Sequence, residues 1–386
     1  MCYLDTNDKI TCSGCEACAN VCPHKAICMI PDSEEFRYPK INIDLCTNCG
    51  LCRKVCPYNL SPQKCSGMNY TFGGHIKNQK VLSESTSGGA FSAIVDAWCD
   101  KNYVIFGAVS DGLNVYHDHI FDKKYLDKFR KSKYILSDTN RCFSKIKNML
   151  SQGEKVLFVS TPCQVEALKN FLTKPSENLF TIDLVCHGGP GQKLFDIYIE
   201  ETEKTHKNKI KEYSFRNKEP LKGRINTRSA KITFENGKEI ITDAKKDPFL
   251  RAYYSRLFFR KSCLKCPFAN LNRPGDITLG DGWGAEKTDN RLNPETGVSL
   301  IIINSDKGEK LLERIYKEGN MELFPISESE ATAGNSALLH PTPRHRNREK
   351  FFENLKKGFY PSVKKYSKSP FFKRLYTKAT RIIRKK

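Results

Sequence analysis

Residues 12–57 read CSGCEACANVCPHKAICMIPDSEEFRYPKINIDLCTNCGLCRKVCP. Two copies of one pattern stand in it: Cys12-x2-Cys15-x2-Cys18-x3-Cys22-Pro23 and Cys46-x2-Cys49-x2-Cys52-x3-Cys56-Pro57. A 4Fe-4S cubane needs four soft thiolates at tetrahedral directions, and a tight loop carrying three Cys delivers three of them. The fourth is expected to cross over from the other copy. Cys12, Cys15, Cys18 and Cys56 are thereby assigned to one cluster, and Cys46, Cys49, Cys52 and Cys22 to a second. Pro23 and Pro57 break the chain after each crossing ligand. Zinc knuckles would instead want Cys-x2-Cys pairs separated by a longer loop.

This module accounts for about the first sixth of 386 residues, leaving enough chain for one or two further domains. The composition, 39% hydrophobic and 28% charged, is that of a soluble globular protein. No apolar run approaches a membrane span, and the N-terminus has neither a basic nor an apolar leader segment. With 17 cysteines, many wanted as thiolates, a reducing cytoplasm is the compartment expected. The net charge of +21 is uneven: residues 344–386 hold 16 Lys and Arg against Glu349 and Glu353. The excess is therefore a local tail, and nucleic-acid binding is not expected.

Outward from the module, the fold expected is multidomain, α+β and α/β. A ferredoxin-like dicluster domain (residues 1–62) and a linker (63–80) precede an α/β domain (81–340), followed by a basic tail (341–386). Strand and helix signals alternate through the α/β domain, from Phe91–Trp98 as helix and Val104–Val109 as strand to Lys307–Lys317 as helix. Residues 228–242 read as a hairpin around Asn236-Gly237. In Ser369–Lys386, Phe371, Leu375, Ala379 and Ile382 share one helical face, opposite a basic one. Such a helix suits an anionic membrane surface, or docking on protein.

Four further cysteines have unusual contexts: Cys163 in Ser-Thr-Pro-Cys-Gln, Cys186 in Cys-His-Gly-Gly-Pro, and Cys263 with Cys266 in Ser-Cys-Leu-Lys-Cys-Pro. Their spacing leaves open a third 4Fe-4S cluster, a zinc site or unliganded thiols. Cys163, at a helix start, is also a candidate nucleophile. Ser87-Gly88-Gly89-Ala90-Phe91 opens a helix with glycines that let backbone N–H groups approach a phosphate or flavin, or merely let the helix pack. Gly280-Asp281-Gly282-Trp283-Gly284 reads as ligand contact or as a tight turn. No G-x-G-x-x-G run occurs, which disfavours a nicotinamide site. His187 and Asp281 are the first residues to test as acid or base.

Taken in order, these motifs resemble the coenzyme F420 hydrogenase/dehydrogenase beta-subunit family over about residues 1–340. The resemblance implies an α/β domain that binds FAD and a 4Fe-4S cluster, and electron flow between iron-sulfur centres and F420 or another acceptor. It implies Cys163, Cys186, Cys263 and Cys266 as ligands of a third cluster. Ser87, Gly88, Gly89, Ala90 and Phe91 become part of a flavin site, with Gly280 and Asp281 as further cofactor contacts. The basic tail, including Pro343-Arg344-His345-Arg346, resembles bacterial members associated with surface-polysaccharide gene clusters. Hydrogenase subunits lack such a tail, which weighs against F420 as substrate. The function expected is that of an iron-sulfur flavoprotein oxidoreductase, with a protein electron donor or acceptor and a small-molecule acceptor. The alternative is a non-catalytic electron-transfer subunit docked on a membrane or partner enzyme.

Overall fold

The computed structural model describes residues 1–59, 70–221, 224–225, 228–287, 289–293 and 295–367. The amphipathic helix expected over Ser369–Lys386 lies outside them. Between the two cysteine motifs, β1 (Ile27–Pro31) and β2 (Arg37–Ile41) form an antiparallel hairpin. In chain order there follow β3 (Tyr70–Ile76), β4 (Tyr103–Asp111), β5 (Asn114–Ile120), β6 (Lys155–Ser160), β7 (Leu179–Leu184) and β8 (Ile210–Asn217). Then come the short β9 (Pro220–Leu221) and β10 (Arg224–Ile225), β11 (Ser229–Phe234), β12 (Glu239–Asp243), β13 (Ile277–Asp281), β14 (Ser299–Ile303) and β15 (Met321–Pro325).

An eight-stranded sheet runs β15-β3-β14-β13-β7-β6-β4-β5. Its middle strands β13, β7, β6 and β4 are parallel, and the outer pairings are antiparallel. Successive side chains of a strand point to opposite faces, so both faces need apolar cover. Val104, Phe106, Val156 and Phe158 pack with Phe143 and Leu168 on one face. The intervening Ile105 and Leu157 pack with Ile94, Ile182 and Leu311 on the other. Parallel strands also bring their C-terminal ends to one edge, where ligand sites of such sheets lie. Cys163 and Cys186 come off that edge, and Gly280 and Asp281 end β13 there. β12-β11-β8 form a separate antiparallel sheet, with the expected hairpin inside it.

Two segments differ from expectation. Residues 63–80, read as a linker, contain β3, which sits second from the edge of the large sheet. The strand contains Gly73-Gly74, and the neighbours leave no room for side chains there: a Cβ on Gly74 would stand 2.8 Å from Leu323 Cδ2. Nor is the change of charge near Pro343 a structural boundary. Helices Arg348–Asn354 and Phe359–Tyr366 bury Phe351, Phe359 and Val363 in a cluster shared with Tyr198, Phe249 and Phe258. Arg348, fully buried, forks onto Glu34 at the tip of the β1–β2 hairpin at 2.8 and 2.7 Å. Basic residues here carry a fold contact that composition reads as solvated tail.

Candidate metal centres

Equal spacing in the two N-terminal motifs produces equal backbone. The second and fourth residues after Cys12, Gly14 and Glu16, have φ of +77° and +62°; the residues at the same offsets after Cys46, Asn48 and Gly50, have +54° and +74°. Left-handed residues set among right-handed ones turn peptide N–H groups toward an enclosed anion, as in the nests around iron-sulfur sites. A short helix follows each loop, Ala17–Val21 and Leu51–Lys54, and carries the chain to Cys22 and Cys56.

The fourth cysteines cross. Cys56 feels the charges of Cys15, Cys2 and Cys12, and Cys18 those of Cys15, Cys12 and Cys56. Cys22 instead lines a cavity of about 60 Å³ with Cys46, Cys49 and Cys52. Burial, reinforced by neighbouring thiolates, pushes Cys15 up to about 12 and Cys18 and Cys56 well above a normal thiol. Without a cation such thiols keep their protons, so a donor set of this kind fits a positively charged iron-sulfur core. Among the described residues, no group of three or more His, Cys, Asp or Glu is gathered that could hold a metal ion. A four-iron cubane spreads its thiolates wider than one zinc does at about 2.3 Å.

The third set assembles at the sheet edge. Cys163 lies in the first turn of helix Pro162–Leu172 after β6, Cys186 two residues beyond β7, and Cys263 and Cys266 in and just after the 3₁₀ turn Lys261–Lys265. Burial first, then mutual repulsion, pushes Cys186, Cys263 and Cys266 each up to about 12; the neighbours are Cys263 and Cys163, Cys266 and Cys163, and Cys163 and Cys186 respectively. Two devices hold the loops. Gly188 (φ +103°) lets the Cys186 loop lie on Cys263, whose Cβ would be 2.8 Å from any Cβ there. Arg273, buried, bonds Asp183 at 2.5 and 3.0 Å and the carbonyls of Phe268 and Leu184, which ties the Cys266 loop to the end of β7.

The first and third sets adjoin. Cys163 is among the charges that Cys15 feels, and the Ser13 hydroxyl lies against both thiols. Tyr58, just past Cys56, reaches toward Cys266, Cys163 and Cys263. Arg260 donates to the Cys12 sulfur at 3.3 Å. Reading the sequence did not find Ser13, Tyr58 or Arg260. A serine, a tyrosine and a basic residue near cysteines carry no spacing signal.

The residues expected at a flavin are more scattered in environment. Gly88, Gly89 and Ala90 are buried, and a Cβ on Gly88 would stand 2.6 Å from the Ser299 amide. Ser87 donates to the Val298 carbonyl at 2.5 Å, and Phe91 meets Phe129 edge-on at 6.5 Å. Gly280 packs on Val185, while Asp281 pairs with Arg216 at 2.7 Å. Arg216 also lines a 330 Å³ cavity with Ser85, Thr86, Lys131, Asn217 and Lys218. Burial pulls Lys218 down to about 8, though its ammonium donates to three carbonyls. His187 packs between Tyr253 and Phe259 at 5.2 and 5.5 Å, and burial pulls it down to about 4. It is thus neutral near pH 7, with no hydrogen-bond partner on Nδ1 among the described residues. A stack of Tyr134 on Tyr253, 4.3 Å apart, spans the space between Cys186 and the Arg216–Asp281 pair.

Among the described residues no helix is long and apolar enough to cross a membrane. No curated protein matches the chain. Among solved structures it is similar to a chain of the xenon-derivatised F420-reducing NiFe hydrogenase complex from Methanosarcina barkeri, with 16% identity and a TM-score of 0.47, over 75% of this chain and 93% of that one. Residues 11–60 match the family model described as 4Fe-4S dicluster domain, and residues 153–329 match the model of the C terminus of the coenzyme F420 hydrogenase/dehydrogenase beta subunit. Residues 153–329 are thus similar to the C-terminal domain of this beta-subunit family, and an iron-sulfur dicluster domain precedes them at the N-terminal end.

Proposed function

We propose that the protein is an iron-sulfur oxidoreductase that leads single electrons along three cysteine-bound cubanes, between a protein carrier and an FAD that serves a small-molecule acceptor. The observation that carries this reading is the contiguity of twelve cysteines. The Cys46 set faces outward, the Cys12 set lies behind it, and Cys15 adjoins Cys163 of the last set. Cubanes supply one-electron steps and a flavin collects two.

The chain's own residues have the following roles in this reading. The twelve cysteines hold the clusters, and Gly188 and Arg273 keep the last four in place. Arg216, Lys131 and Lys218 outnumber Glu84 and Glu219 around the 330 Å³ cavity, a balance that suits an anionic phosphate-bearing cofactor, and Asp281 orients Arg216. The Tyr134–Tyr253 stack would fill the gap between the last cluster and that cavity. F420 is not the acceptor we favour, and the acceptor's class is left at a small molecule.

One observation favours the second reading, an electron-transfer subunit without flavin. The Gly88-Gly89 turn is fully accounted for by packing of helix Ala90–Trp98 onto β3 and β14. Anaerobic purification separates the two. About twelve iron atoms per chain with acid-extractable FAD, lost in Arg216→Met, supports the oxidoreductase. Iron without flavin supports the carrier, and iron-free protein overturns both.

A further inference from the structure

Arg260 is buried, 2% exposed, at the meeting of the two inner cysteine sets. Its Nε donates to the Cys12 carbonyl at 2.7 Å, and one Nη donates to the Cys12 sulfur at 3.3 Å and to the Arg37 carbonyl at 3.0 Å. The guanidinium carbon stands 4.1 Å from the Tyr38 ring centroid and 5.6 Å from that of Phe36. From the other side, the Arg260 carbonyl accepts from the Cys263 amide at 3.0 Å. Its charge also reaches Cys163 and Cys263. Among the described residues no carboxylate pairs with it; its acceptors are carbonyls and a sulfur.

A buried cation is expensive unless an anion compensates it. Among the described residues the anionic groups it bonds or faces at the cysteines are sulfurs of two sets, while Glu16, Glu35, Asp138 and Asp196 share with it the lining of a 650 Å³ cavity without pairing with it. We propose that Arg260 is a potential-setting residue, a positioning cation shared by two clusters that favours the reduced form of the one bound by Cys12 and, less strongly, of the one bound by Cys163. The inference rests on the cysteine sets being cluster ligands. Reduction adds one negative charge to a cluster, and a nearby cation with a hydrogen bond to ligand sulfur stabilises that charge. Burial keeps salt from screening it. The sharing also has a consequence for flow. Two anionic clusters side by side repel each other's electrons, and a cation between them weakens that repulsion, easing passage across Cys15 and Cys163. The Cys46 set lies outside the hydrogen bonds of Arg260 and serves as an internal control.

The test uses full-length, anaerobically purified Arg260→Met and Arg260→Lys, with midpoint potentials read by EPR at poised potentials. Signals are assigned through Cys46→Ser and Cys263→Ser. Arg260→Met should make the Cys12-bound cluster about tenfold harder to reduce, a fall of about 59 mV for one electron, and the Cys163-bound cluster less so. The Cys46-bound cluster should not move. Arg260→Lys keeps the charge but loses the fork, so a smaller fall in the same cluster is expected. A merely structural role would change iron content and leave the potentials alone. Full iron with three unchanged potentials, or one equal shift in all three, overturns the proposal; should Arg260→Met not hold iron, Arg260→Lys decides by the same criteria. Wild-type protein without iron would sink the cluster reading instead.

Discussion

The loop around Cys12 and the loop around Cys46 share spacing and backbone, yet they live in opposite surroundings. Every residue from Asn42 to Cys49 is exposed, with Ile43 at 83% and Leu45 at 50%. Cys12, Cys15 and Cys18 are half-buried behind Arg260, Ser13 and the third cysteine set. A duplicated motif therefore makes two equal holders, and the domain packed on one of them makes their roles unequal. The outer holder is exposed to solvent; the inner one packs against the third cysteine set at the sheet edge.

Four results would break or sharpen that comparison, in descending size. Arg273→Met leaves Asp183 buried without its partner and should cost about 3–5 kcal/mol in urea unfolding, with loss of the third centre. An unchanged unfolding midpoint would remove the anchor on which the inner arrangement depends. Acid should act next, through His117. Burial pulls this ring from 6.5 down to about 4, and the backbone of Asp138 and Val159 beside it offsets only part of that pull. Between those values the unfolded chain binds a proton that the folded one refuses, so stability is full above pH 6.5 and is lost as pH falls through that window, by about 3 kcal/mol. His117→Leu should flatten this part of the stability profile, which denaturation at several pH values would reveal. Gly188→Ala, at a φ of +103° and against Cys263, should cost about 1–3 kcal/mol and lower iron content from the third set alone. Iron lost equally from all sets would mean that the inner loops are not separately held. Smallest is Ile43→Ser on the outer loop: stability should stay within about 0.5 kcal/mol, by thermal melting, because the side chain buries almost nothing.

The likeness of the two loops was legible in residues 12–57. Four thiolates per cubane and three per loop leave one crossing residue each, and Cys56 and Cys22 do stand with the opposite loops. The strands β4, β6 and β7 were equally readable, since buried parallel strands are continuous apolar runs. Reading failed where a residue's meaning lay in its neighbour. Gly73 and Gly74 look like a loop until β15 and Leu292 crowd them, and Arg348 looks like tail until Glu34 meets it. The Ser87–Phe91 turn admits a ligand by composition, whereas Ser299 and Gly74 already occupy the space beside its glycines.

Local covalent spacing by itself assigned cysteines to two N-terminal sets and gave the two loops one backbone shape, because the path of a tight loop depends on a handful of adjacent dihedral angles. Which set is sheltered, which is open, and what cation stands between two of them depended on residues more than two hundred positions apart, such as Cys12 and Arg260. Burial and electrostatics are properties of that packed surrounding, and only the assembled tertiary structure supplies it.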